Sequence, residues 1–193
     1  PRHVLVVALL EGVMAFAGFT FIPVYLQQRF GLSAGWAGSV MALYGAGGLL
    51  YAALAPRIIR RLGEQRMALV GGVGMGGAMA VMAWGPHWGW AVLACPAGGL
   101  CMYMMHNTLQ ANASQMSPHS RGTAVAMFAS CLFFGQSLGV AAGAVVLDHA
   151  SPAWIFGACA LGLPALGLWF SQGLSQRERW QSRVSASQTA SVG

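Results

Sequence analysis

Long apolar runs separated by short polar connectors dominate the sequence. Each run has 18 to 25 residues, and the runs cover residues 4–26, 36–55, 67–84, 88–110, 123–147 and 153–170. About 20 apolar residues in an α-helix, each rising roughly 1.5 Å, cross the hydrocarbon layer of a bilayer. The pattern therefore predicts an all-α membrane protein with six transmembrane helices within residues 1–170. The Ser-, Gln- and Arg-rich residues 171–193 are expected to form a disordered cytoplasmic tail.

Composition excludes a soluble domain. Of the 193 residues, 56% are hydrophobic and only 7% are charged, whereas soluble domains carry about 25% charged residues. No Asp, Glu, Lys or Arg occurs between Arg66 and Arg121, between Arg121 and Asp148, or between Asp148 and Arg177. Charge is thus confined to short connectors, as expected of a chain that crosses a membrane repeatedly.

Arginines are distributed on alternate connectors of this map. All ten basic residues are Arg, and Arg29 is the one that falls on the opposite side from the other nine. Connectors on the cytoplasmic side of membrane proteins are enriched in Lys and Arg. The distribution predicts an even number of spans with both termini in the cytoplasm.

The net charge of +6 does not indicate nucleic-acid binding, because the sequence has no basic stripe interleaved with aromatic residues. Four cysteines fall inside apolar runs without the spacing of metal ligands, which predicts small buried side chains. We expect no metal, no cofactor and no nucleic-acid partner.

Three segments resemble motifs of the major facilitator superfamily. The first is the connector 60–66, in which Arg61-x-Gly63 and Arg66 match the family's cytoplasmic loop motif. Here Arg60 and Pro56 replace the usual Asp and leading Gly. The other two are similar to segments of bacterial drug and sugar efflux members. The second segment contains Glu11-Gly12, Pro23-x-Tyr25-Leu26 and Phe30-Gly31-Leu32-Ser33. The third contains Asn107-Thr-Leu-Gln110, Ser117-Pro118-x-x-Arg121-Gly122-Thr123-Ala124 and Phe134-Gly135-Gln136.

This resemblance implies a half bundle that corresponds to helices 7–12 of the family, built from two inverted three-helix repeats. It implies a secondary active transporter, and we expect proton-coupled efflux of small hydrophobic or sugar-like molecules by alternating access across a bacterial inner membrane. The first and fourth helices of a half line the family's cavity. Expected partners are the substrate, protons, membrane lipid and either a missing N-terminal six-helix half or a second copy.

Glu11 is the one acid inside a predicted span. Seven residues into the helix, it lies roughly 10 Å below the surface, where an ionised carboxylate costs on the order of 3 kcal/mol. Such a residue usually faces a water-filled cavity or exchanges a proton, which makes Glu11 the candidate for proton coupling. The alternative is a carboxylate near the cytoplasmic interface that pairs with a neighbouring helix end.

Polar side chains in the fourth and fifth predicted helices are candidates for the substrate cavity. Tyr103, Asn107 and Gln110, with Ser114, share one helix face because their spacing is i, i+4, i+7 and i+11. Gln136 lies near the middle of the fifth helix. The alternatives are an interfacial polar cap for the first group and a hydrogen bond between helices for Gln136.

Two other classes of protein remain as alternatives. An intramembrane serine protease is disfavoured, because the last predicted helix has no His and no serine stands in a Gly-x-Ser-x-Gly-like turn. We therefore do not expect an enzyme. The other alternative is a six-helix scaffold or assembly protein without transport activity, and only Glu11 and the family resemblance argue against it.

Overall fold

The structure, a computed structural model, describes the backbone of residues 2–117 and 120–190, with side chains as far as residue 180. Within these residues the fold is entirely helical. Five helical elements follow one another: α1 (Arg2–Phe30), α2 (Ala34–Trp84), α3 (Gly89–Ser114), α4 (Arg121–His149) and α5 (Ala153–Ala190). Four of them, α1, α2, α4 and Ala153–Trp180 of α5, are long and apolar enough to cross a membrane.

The long element α2 consists of two arms that meet at Gly63. Gly63 has φ 68° and ψ 172°, outside the helical region, and glycine adopts this left-handed φ without the steric penalty of a Cβ. Tyr44 and Ala78 lie on opposite sides of the break, yet both approach Gly98 of α3. A straight helix would separate them by about 51 Å. The chain therefore reverses direction at Gly63, and residues 34–62 and 64–84 form antiparallel arms.

Pro56 and Pro96 lie inside helices that continue past them. The second apolar run ends at residue 55, but α2 continues through Pro56 as far as Gly63. Likewise, α3 passes through Pro96, Gly98 and Gly99 without a break. A proline removes one N–H donor, and membrane helices accommodate this because neighbouring groups satisfy the freed carbonyl. Backbone reversal instead requires the positive φ of Gly63.

The fifth helix extends well beyond the last predicted span. Residues 171–190 continue α5, where the sequence predicted a disordered tail; residues 191–193 lie outside the described part of the chain. Tertiary contacts stabilise this extension. Leu174 is buried, Gln65 Nε2 donates to Glu178 Oε2 at 2.5 Å, and Arg177 Nη1 donates to Asn112 Oδ1 at 3.3 Å.

Gly135, Gly139 and Gly143 recur every four residues along α4 and form a glycine stripe that faces α1. A Cβ added at Gly135 would overlap the carbonyl oxygen of Leu9, and one at Gly139 would overlap that of Val13. These glycines let the backbones of α1 and α4 touch, which is how helices associate when both are surrounded by lipid. The stripe has the tight packing role that its spacing indicates.

Arg29 ties the end of α1 to the end of α2. Its Nη1 donates to the carbonyl oxygen of Ala83 at 2.9 Å and contacts the hydroxyl of Tyr25, which in turn donates to the carbonyl of Met82. Carbonyls in the last turn of a helix lack intrahelical partners and carry partial negative charge. Arg29 therefore caps α2, which gives it a structural role at the end of the bundle where other arginines are rare.

Candidate functional site

The site is centred on a buried carboxyl group. Glu11 lies in the middle of the packed face of α1 and its side chain is 0% exposed. Its Oε2 lies 3.1 Å from Nδ1 of His106 in α3. Its Oε1 is also buried and has no hydrogen-bond partner among the described residues. Since burying an unpaired carboxyl oxygen is costly, this arrangement points to a role other than packing.

His106 connects this carboxyl group with a cavity. Its side chain is 21% exposed, its ring lies 5.7 Å from that of Phe128, and it forms part of the cavity wall. One ring nitrogen thus faces Glu11 while the imidazole also borders space that a solute can enter. The sequence does not predict this pair, because contact between residues 95 positions apart leaves no local pattern.

The cavity has a volume of about 400 Å³, within the range of small-molecule sites. Four of the five helical elements contribute to it, and its wall is largely aromatic and apolar. The lining residues are Ala15, Phe16 and Phe19 of α1, Tyr44 and Gly45 of α2, Met102, Tyr103 and His106 of α3, and Leu132, Phe133 and Gln136 of α4. Glu11 does not line the cavity itself and reaches it through His106.

The predicted cavity residues divide into two groups. Tyr103 and Gln136 lie in the wall, and the Tyr103 ring stacks on that of Tyr51 at a centroid distance of 6.3 Å. Asn107 and Gln110 lie outside the wall: the Asn107 side chain hydrogen-bonds Tyr51, and Gln110 is exposed. Residues that share one face of α3 therefore separate into Tyr103, which lines the cavity, and Asn107 and Gln110, which lie outside it.

The predicted cytoplasmic loop motif surrounds the reversal in α2. Arg60, Arg61 and Arg66 are exposed around Gly63. Two other residues of this connector bind distant helices: Glu64 Oε2 accepts a hydrogen bond of 2.8 Å from Nδ2 of Asn112 in α3, and Gln65 donates to Glu178 of α5.

Sequence reasoning missed Asn112, which is 3% exposed. Its Nδ2 also donates to the carbonyl of Thr108 at 2.9 Å, and its Oδ1 accepts from Arg177. An asparagine near a helix end has no sequence signal that would distinguish this bridging role.

The Glu11–His106 pair holds the same single proton whether it is an ion pair or two neutral groups, and a second proton gives a neutral carboxyl group beside an imidazolium, so the pair can in addition accept a proton from its surroundings. No group of three or more His, Cys, Asp or Glu side chains that could hold a metal occurs in the described part of the chain. The arrangement places a carboxyl–imidazole pair next to a cavity of small-molecule size.

Fold and site together define an integral membrane protein whose helices enclose a cavity for a small solute. The comparison with family models identifies the family within this class, because the model of the Major Facilitator Superfamily matches residues 4–192. The chain belongs to this superfamily of membrane transporters. Neither the curated proteins nor the solved structures contain a match.

Proposed function

We propose that this chain is the C-terminal half of a proton-coupled efflux transporter, with six spans and both ends in the cytoplasm of a bacterium. In this arrangement the two arms of α2 are separate spans and α3 is the fourth. The reversal at Gly63 supports this division. The distribution of the arginines, nine of which fall on the cytoplasmic side of this arrangement, supports the orientation.

The observation that carries the proposal is the Glu11–His106 pair beside the cavity. A proton that reaches His106 from the cavity changes the charge of the pair, which in turn changes the cost of keeping Glu11 buried. Substrate in the cavity contacts the same imidazole. Binding of a proton and binding of substrate at the His106 imidazole therefore weaken each other. Exchange of one for the other across the membrane requires this coupling between the two binding events.

The cavity wall favours an apolar substrate over a sugar. Phe16, Phe19, Tyr44 and Phe133 provide aromatic faces, and Met102 provides a flexible apolar side chain. Tyr103 and Gln136 supply hydrogen-bonding groups that would orient a solute. We place the N-terminal half, or a second copy of this chain, across the open side of this cavity.

Transport by the protein in proteoliposomes with an imposed proton gradient tests the proposal. Glu11→Gln keeps the size of the side chain and removes its ability to carry a proton, so gradient-driven transport is expected to fall at least tenfold, to the level of facilitated leak. Gln110→Glu is a suitable control, because it adds an acid at an exposed position outside the cavity. Gradient-driven transport at the wild-type rate in Glu11→Gln would remove Glu11 from the mechanism. The assay uses the complete transporter, with its N-terminal half or second copy present, and absence of transport by that wild-type protein would favour a scaffold.

A further inference from the structure

A second cavity lies at the Arg-rich end of the bundle, between α1, α3 and α5. Its volume is about 430 Å³, and its polar lining consists of His3, Asn112, Gln176 and Arg177. Phe170 and Leu174 contribute to an apolar wall. No carboxylate occurs among the described residues that line it. We propose that this cavity binds a phosphate-bearing anion, the chemistry shared by phospholipid headgroups and free phosphate.

His3 supplies the first observation. Its Nε2 is buried and has no hydrogen-bond partner among the residues described. Its ring is fixed in place, 4.6 Å from the ring of Trp169 in an edge-on arrangement and 6.2 Å from that of Phe170. A buried polar atom without a partner is unfavourable unless a ligand completes its hydrogen bonding, and His3 is part of the cavity wall. A phosphate oxygen accepts a hydrogen bond from an imidazole N–H.

Arg177 supplies the second observation. One of its N–H groups donates to Oδ1 of Asn112, and Asn112 is itself held by the carbonyl of Thr108 and by Glu64. A guanidinium group has five N–H donors in a planar fork that matches the oxygens of phosphate. Asn112 therefore orients the guanidinium with one donor. It also separates Arg177 from the carboxylate of Glu64, so positive charge remains at the cavity.

The depth of the cavity fits a lipid headgroup. Trp169 is at the end of the apolar run of α5, and Arg177 follows about two turns later. Tryptophan concentrates at the boundary between hydrocarbon and headgroups, and basic pockets between helices at this level bind anionic headgroups. The apolar wall of Phe170 and Leu174 continues toward the hydrocarbon, where the acyl chains of such a lipid would lie.

Lipid retention by the protein can be measured by native mass spectrometry after extraction from nanodiscs. One arm uses phosphatidylglycerol in a phosphatidylcholine background, and the other uses inorganic phosphate added to protein in neutral detergent. Arg177→Gln keeps a donor for Asn112 but removes the charge, and His3→Phe keeps the ring contacts but removes the donor. Each is expected to lower retention about tenfold. Arg57→Gln, an exposed arginine of α2 outside the cavity, is the matched control and is expected to leave retention unchanged.

Each result decides the proposal. Preferential retention of phosphatidylglycerol that both variants reduce supports the site with lipid as its source. Saturable binding of inorganic phosphate with the same sensitivity supports it with free phosphate as the source. Equal retention of both lipids by the wild type, with no phosphate binding, overturns it even if a variant fails to fold. An equal loss in Arg57→Gln overturns it as well, because general surface charge then explains the binding.

Discussion

Removing His106 should destabilise the protein through Glu11. His106→Phe keeps a ring of similar size next to Phe128 and deletes the hydrogen bond of 3.1 Å to Oε2. Both oxygens of a fully buried carboxyl group then lack a partner, since Oε1 has none to begin with. Removing one member of a buried pair costs about 3–5 kcal/mol. Because the His106 side chain is 21% exposed, water screens part of this cost, and we expect a loss of about 2 kcal/mol.

A double-mutant cycle isolates this term. Glu11→Leu combined with His106→Phe replaces the pair by apolar side chains, so its free energy of unfolding should return to within about 1 kcal/mol of the wild type. Reversible unfolding in mixed micelles, followed by tryptophan fluorescence, gives the four stabilities. His149→Phe, at the exposed end of α4, is the matched control. The reasoning is refuted if His106→Phe changes stability by less than about 0.5 kcal/mol, or if the losses in the double variant simply add.

Three further predictions follow from the packing and the ends of the bundle. Gly139→Ala places a Cβ against a carbonyl oxygen of α1 and should cost about 1–3 kcal/mol in the same unfolding assay; an unchanged stability would show that the two helices are not in contact. Arg29→Gln removes the charged hydrogen bond to Ala83 and should cost about 1–2 kcal/mol, with a loss that shrinks little at high salt because the bond is partly buried. Arg61→Cys and Trp180→Cys, each in a variant without native cysteines, should react with a membrane-impermeant maleimide from the same side of the membrane. Labelling from opposite sides would contradict the proposed orientation.

Helix positions were predictable because membrane spans obey a simple length rule. The run 4–26 lies within α1, and the runs 123–147 and 153–170 lie within α4 and the first half of α5, and each helix extends beyond its run into polar residues. A hydropathy pattern marks where the chain is apolar, but a helix ends where its backbone hydrogen bonding ends. The termini therefore differ, most of all in α5, where contacts of Leu174 and Arg177 stabilise a helical extension.

The site was predictable only in part. Glu11 could be identified from the sequence because an acid within an apolar run has a high energetic cost that packing alone does not explain. Its partner could not, since His106 resembles any histidine near a helix end. Asn107 and Gln110 share a helix face with Tyr103, yet a face about 100° wide can border two different neighbours, and only the tertiary structure separates them.

The two kinds of contact that hold α1 respond differently to charge. Against α4, α1 is held by glycines that bring two backbones together, and backbone contacts of this kind carry no charge. Toward α3 lies the Glu11–His106 pair, whose strength depends on protonation. In the proposed mechanism, a proton that changes the pair would alter how α1 meets α3 while its glycine contacts with α4 persist. Such a shift of one helix pair within an otherwise intact bundle is the local change that the proposed alternating-access carrier needs.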